Sequence, residues 1–150
     1  MARAERALDD LLDLGGVAAP HELPRLVDDT ALALGAVAAV IHLVDLQQVA
    51  LTPFPEPGHP PVTELPAPLV IDSTIAGRVY QHDEVIVQTT SDAGAPVTVW
   101  LPLRDGADRL GVLAVALQEP SLVEDADSPT SRLLRRLAAI TSDLIAQRSR

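Results

Sequence analysis

The chain has 150 residues, the span of one ordinary domain with its own core, and its formal net charge is −10, which sets it against phosphate backbones and argues against nucleic-acid binding. It contains no cysteine, which excludes disulfides, thiolate metal sites, iron–sulfur clusters and thiol nucleophiles. Only 2% of the residues are aromatic, so the core has to be built from Leu, Val, Ile and Ala.

Residues 3–14 predict a helix, with Leu8, Leu11 and Leu12 as an apolar stripe, Glu5, Asp9 and Asp13 as an acidic flank, and Gly15-Gly16 as its stop. Residues 22–34 predict a second helix. Pro24 suits its first turn, Leu23, Leu26, Val27 and Leu34 form its buried face, and Gly35 ends it. Residues 37–45 are apolar on both faces, which predicts a strand covered on two sides. Gln47-Gln48 turns the chain into a return strand at 49–54, and the proline-rich stretch from Thr52 to Pro61 forbids regular structure.

A short strand at 69–71 leads to a helix through about residue 81, capped by Asp72 or Ser73. Ile75, Ala76, Val79 and Tyr80 share one face of it, and Gly77 in its middle implies a close backbone contact. A short strand at 85–87 and a loop at 89–95 follow. Residues 97–103 and 110–117 are apolar on both faces and join through Asp105-Gly106 as a β-hairpin. After an acidic loop at 120–129, residues 130–148 form a closing helix in which Leu133, Leu137, Ile140 and Leu144 make a heptad seam. That seam either packs on its own sheet or pairs with the same helix of a second subunit. Arg132, Arg135 and Arg136 flank it, complementary to the acidic flank of the first helix.

Turns too short for parallel crossovers make the sheet antiparallel, so the fold class is α+β, a single domain over 1–150. The charged N-terminus lacks the apolar core of a signal peptide, and no apolar run approaches the ~18 residues of a membrane span. The expectation is a soluble, cytoplasmic protein that binds no membrane.

Three stretches carry a resemblance: GAVAAVIHLVD from Gly35, LVIDSTIAGRVYQHDEVI from Leu69, and VWLPLRDGADRLGVLAVAL from Val99. Together they resemble the GAF family of sensor domains. The resemblance implies a central antiparallel sheet of five to six strands with the N- and C-terminal helices packed on one face. The opening ARAERALDDLLDL, with HELPRLV and HLVDLQQVAL, looks like GAF domains that precede SpoIIE-like serine phosphatase domains in actinobacteria. It implies a regulatory role, a phosphatase output domain as partner, and a homodimer through the terminal helices.

By the same resemblance a small-molecule pocket would lie between the sheet and the segment from about Phe54 to Thr90, with Phe54, Ser73, Arg78, Tyr80 and Trp100 as its residues. The rings of Phe54, Tyr80 and Trp100 either line such a pocket or simply fill it. The family's cyclic-nucleotide motif is missing, and its bilin-binding and sulfoxide-reductase members depend on cysteines that this chain lacks.

His21, His42, His59 and His82 have no metal-ligand spacing; His42, among apolar residues of a strand, reads as a hydrogen-bonded core histidine, and His82-Asp83-Glu84 as a polar turn. Asp9-Asp10 and Asp28-Asp29 read as solvated faces. No nucleophile motif is present, so no enzyme, metal or cofactor is expected. Two functions follow: a non-catalytic sensor for an unidentified small molecule, or a structural interaction module with a filled core and no ligand.

Overall fold

The computed structural model describes residues 2–54, 69–89 and 96–149; most of the proline-rich loop, with His59, and most of the loop at 89–95 lie outside them. Helices α1 (Ala2–Val17) and α2 (Leu23–Ala33) lead into strands β1 (Ala38–Val44) and β2 (Ala50–Pro53). Strand β3 (Leu69–Val70) precedes α3 (Ile75–His82) and β4 (Ile86–Gln88), and the hairpin of β5 (Val97–Asp105) and β6 (Asp108–Leu117) leads to α4 (Pro129–Ser149). The six strands form one sheet in the order β3-β2-β1-β6-β5-β4, with every pairing antiparallel. This is the α+β architecture expected from the sequence.

Alternation along the strands builds two unequal faces. Ile41, Val97, Val99, Leu101, Leu103, Leu113, Val115 and Leu117 point to one side and join Leu8, Leu11, Leu23, Val27, Leu134 and Leu137 of the helices in the main core. Thus α1, α2 and α4 share one face. On the other face α3 covers a smaller cluster of Leu51, Ile71, Ala76, Val79, Tyr80 and Val112. The hairpin strands are apolar on both faces, but the helix side is the more deeply buried of the two.

Local chemistry fixes the joints. Gly35, at φ 97°, ends α2, and Asp28 Oδ1 accepts the Ala39 amide at 2.8 Å, where β2 is too short to reach. Asp28 is therefore a tie between α2 and β1 and not a solvated carboxylate. Gly106, at φ 60°, turns the hairpin. A register shift between Leu103 and Arg104 frees the Arg104 amide, which donates to Ser142 Oγ of α4 at 3.1 Å. The cap of α3 is Thr74, whose Oγ1 accepts the Gly77 amide at 3.0 Å; Asp72 and Ser73 belong to the 3-10 turn before it.

Gly15-Gly16 does not stop α1. The helix runs to Val17, and Gly15 is there for packing: a Cβ on it would lie 2.5 Å from Leu144 Cδ1. Arg148 of α4 donates to the Gly15 and Ala18 carbonyls at the end of α1, and Arg136 reaches Asp9 at 3.5 Å. The opposed charged flanks thus lie side by side within one chain. The heptad seam is intramolecular too: Leu133, Leu137, Ile140 and Leu144 are all buried in the main core. A second copy could reach them only by opening that core.

Two glycines separate these roles in a measurable way. A Cβ on Gly77 would sit 1.7 Å from the Ile71 carbonyl oxygen, whereas one on Gly16 would meet nothing within 4 Å. Gly77→Ala is expected to cost about 3 kcal/mol of stability. Gly16→Ala is expected to gain about 0.5–1 kcal/mol, both read from urea unfolding midpoints.

Candidate functional site

Strand pairing lines up the outward residues of β5, β6 and β1 in three rows: Thr98, Ala116 and Ala38; Trp100, Ala114 and Val40; Pro102, Val112 and His42. Alanines occupy three of these positions, whereas the helix-facing side of the same strands carries mostly Leu, Val and Ile, with Ala39 as its one alanine. The floor is therefore low, and α3 covers its Val112 end, with Trp100 packed against the same cluster. The result is a cavity of about 370 Å³ lined by Ala38, Val40, His42, Leu69, Thr98, Trp100, Ala114 and Ala116. Its size falls at the lower end of the range of small-molecule sites. No charged side chain is among these lining residues.

His42 is the one ionisable group on this floor. It is 1% exposed, and neither Nδ1 nor Nε2 makes a well-aligned hydrogen bond among the described residues. Burial pushes its pKa below the ordinary value, against the weaker opposing effect of a poorly aligned hydrogen bond with the Val40 backbone. The ring is therefore neutral at neutral pH, with one N–H donor and one acceptor nitrogen. A buried polar group left unpaired costs about 1–3 kcal/mol, so a ligand that supplies a partner recovers free energy the fold leaves unclaimed. The other buried side-chain atoms in this condition, Thr141 Oγ1 and Arg148 Nε, are on α4.

Trp100 forms a wall beside His42, with ring centroids 5.9 Å apart and planes inclined at 47°. Its Nε1–H donates to Gln88 Oε1 of β4 at 2.8 Å, which holds the indole in place. Since that is its single polar atom, the ring offers the cavity a carbon surface.

Of the five residues singled out for a pocket, Trp100 lines this cavity. Phe54 follows β2 by one residue, and alternation sends its side chain to the helix face, where it packs on the main core. Tyr80, on α3 itself, is buried in the smaller cluster, and its phenol pKa is raised by burial, with an opposing effect from Arg109 and a reinforcing one from Asp45. Ser73 is exposed, and Arg78 points outward to pair with Glu84 at 2.8 Å. In the His82-Asp83-Glu84 turn, Asp83 pairs with Arg104, so both carboxylates are taken by arginines. Among the described residues no group of three metal-ligating side chains occurs.

The resemblance implied a pocket against the sheet, but the sequence reading missed its floor, the residues of β1 and β6. Its signal was the size alternation on β6, where Ala114 and Ala116 fall between Leu113, Val115 and Leu117. His42 was expected to be a hydrogen-bonded core histidine; it is buried, and among the described residues it has no well-aligned side-chain bond because its strand neighbours on this face are apolar.

No family model matches the sequence, and no curated protein matches it. Solved structures do match. The GAF domain of a phosphoenolpyruvate-protein phosphotransferase (ptsP) from Coxiella burnetii is 16% identical, with a TM-score of 0.75 over 99% of this chain and 95% of that one. Free methionine-R-sulfoxide reductase from Neisseria meningitidis, solved with its substrate, is 17% identical, with a TM-score of 0.66 over 99% and 92%. The GAF domain of the potassium sensor histidine kinase KdpD from Escherichia coli is 16% identical, with a TM-score of 0.62 over 97% and 94%. The likeness establishes the fold as that of GAF domains.

The buried imidazole has a consequence for stability. The folded chain holds His42 below its ordinary pKa of 6.5, so the unfolded chain binds more proton as pH falls past that value. Stability should therefore fall with pH from neutrality, and His42→Gln should show a shallower fall between about pH 6.5 and 5, measured by urea midpoints.

Proposed function

We propose that this GAF-fold domain is a non-catalytic sensor that holds a small molecule in the cavity between His42 and Trp100. The observation that carries the reading is the buried imidazole, without a well-aligned partner among the described residues, at the floor of a mostly apolar cavity of about 370 Å³. A filled interaction module would have no space beside Trp100. The cavity lining offers one imidazole and one hydroxyl, that of Thr98, with no carboxylate among the described lining residues to orient a base. That favours binding over chemistry, although a neighbour of the same fold is a reductase. The KdpD neighbour, a sensor kinase domain by its description, supports a sensory role.

The signal would cross the sheet. Val40 and His42 line the cavity, while Ile41 between them packs in the helix core. A shift of β1 on occupancy would be felt by α2 and α4, and through the Gly15–Leu144 contact by α1. The terminal helices would pass it to a SpoIIE-like phosphatase domain or a separate partner. Any homodimer would use outward residues of α1 such as Leu12 and Leu14, since the α4 seam is committed to the chain's own core.

Native mass spectrometry of the protein purified from its own host tests the sensor reading. The expected result is a retained small molecule, absent from an Ala114→Phe variant that fills the cavity but keeps its fold by circular dichroism. An unliganded mass for the wild type, unchanged in the variant, would support the interaction module instead.

A further inference from the structure

The cavity's chemistry restricts what it can hold. Its described lining has no arginine, aspartate or glutamate, and its imidazole is held in the neutral form by burial. An anionic or cationic ligand would lose its hydration there without gaining a counter-charge from the described lining, which is strongly unfavourable. The floor is low where Ala38, Ala114 and Ala116 lie side by side, and Trp100 stands at its edge as a fixed carbon wall. Such a space suits a flat ring system packed against indole. His42 then supplies the polar recognition at its end of the floor, two rows from the Thr98 hydroxyl, because the Trp100 N–H is already spent on Gln88 and the strand backbone on its ladder.

Resting on the sensor reading above, we infer that the site takes an uncharged, planar heteroaromatic compound whose ring nitrogen or carbonyl pairs with His42, and that it rejects phosphorylated or carboxylated relatives of the same ring. A negatively charged chain makes the rejection stronger at long range, since the formal net charge is −10.

Trp100 is the chain's single tryptophan, so its fluorescence reports on this cavity without background from elsewhere. Three probes of matched shape separate the contributions: naphthalene, quinoline and quinoline-4-carboxylate, titrated at about pH 8 where quinoline and His42 are both neutral. Quinoline should quench Trp100 and bind about tenfold more tightly than naphthalene, the gain of one hydrogen bond to a buried partner. The carboxylate should bind more weakly than either. In His42→Phe the quinoline preference should collapse to about one, while His42→Gln, which keeps a donor, should retain it.

A carboxylate that binds as well as quinoline would overturn the proposed ligand class while leaving the cavity a binding site and the sensor reading intact. Equal affinities of naphthalene and quinoline in the wild type would remove His42 as the recognising group. If no probe reaches Trp100, the ligand class falls, and the mass of the host-purified protein then decides the sensor reading separately.

Discussion

Leu101, Leu113 and Ile41 form one transverse row on the helix side of β5, β6 and β1; Trp100, Ala114 and Val40, each one residue away, form a row on the other side. The two rows share a backbone and differ in volume. Three branched side chains fill the space beneath α4 and α2, so that face is solid. On the opposite face Ala114 sits between Trp100 and Val40 and leaves a depression that no neighbouring ring fills. The cavity, the isolation of His42 and the division of labour between the two faces all descend from this asymmetry.

The helix layer holds because its contacts are backbone-close. Gly15 lets α1 approach Leu144, Arg148 reaches back to the carbonyls that end α1, and Ser142 takes the amide freed by the bulge at Arg104. Gly111 plays the corresponding part within the sheet, where a Cβ would lie 1.9 Å from the His42 carbonyl oxygen. The strand that carries His42 is thus pinned against β6 at the position of the imidazole. A displacement at the cavity floor would be carried to the residues on the helix face, as the proposed sensory role requires.

Most of the architecture was legible in the sequence because periodicity and turn chemistry agreed. Gly35 and Gly106 mark a helix end and a hairpin turn by positive φ, and Gly77 marks a close backbone approach; each does so in the structure. Gly15-Gly16 misled because a glycine that admits a neighbouring helix reads the same, in one dimension, as a glycine that stops its own. The heptad seam of α4 is likewise ambiguous without knowing what lies opposite it; here the sheet does. The site was less legible. Phe54 is separated from Trp100 by the thickness of the sheet, a consequence of strand parity that its position in a proline-rich segment conceals. The cavity depends on which neighbours the alanines meet across three strands, and register is a tertiary fact.

Among the described residues His42 has no well-aligned hydrogen-bond partner, and the proposed ligand would supply one. The imidazole nitrogens of His42, followed by nitrogen-15 NMR at neutral pH, report on this directly. The expected result is a neutral ring that exchanges between its two tautomers in protein stripped of small molecules, and a single fixed tautomer in protein purified from its host. One fixed tautomer, identical in both preparations, would mean that the fold satisfies the imidazole on its own, and the proposed role of His42 would fall.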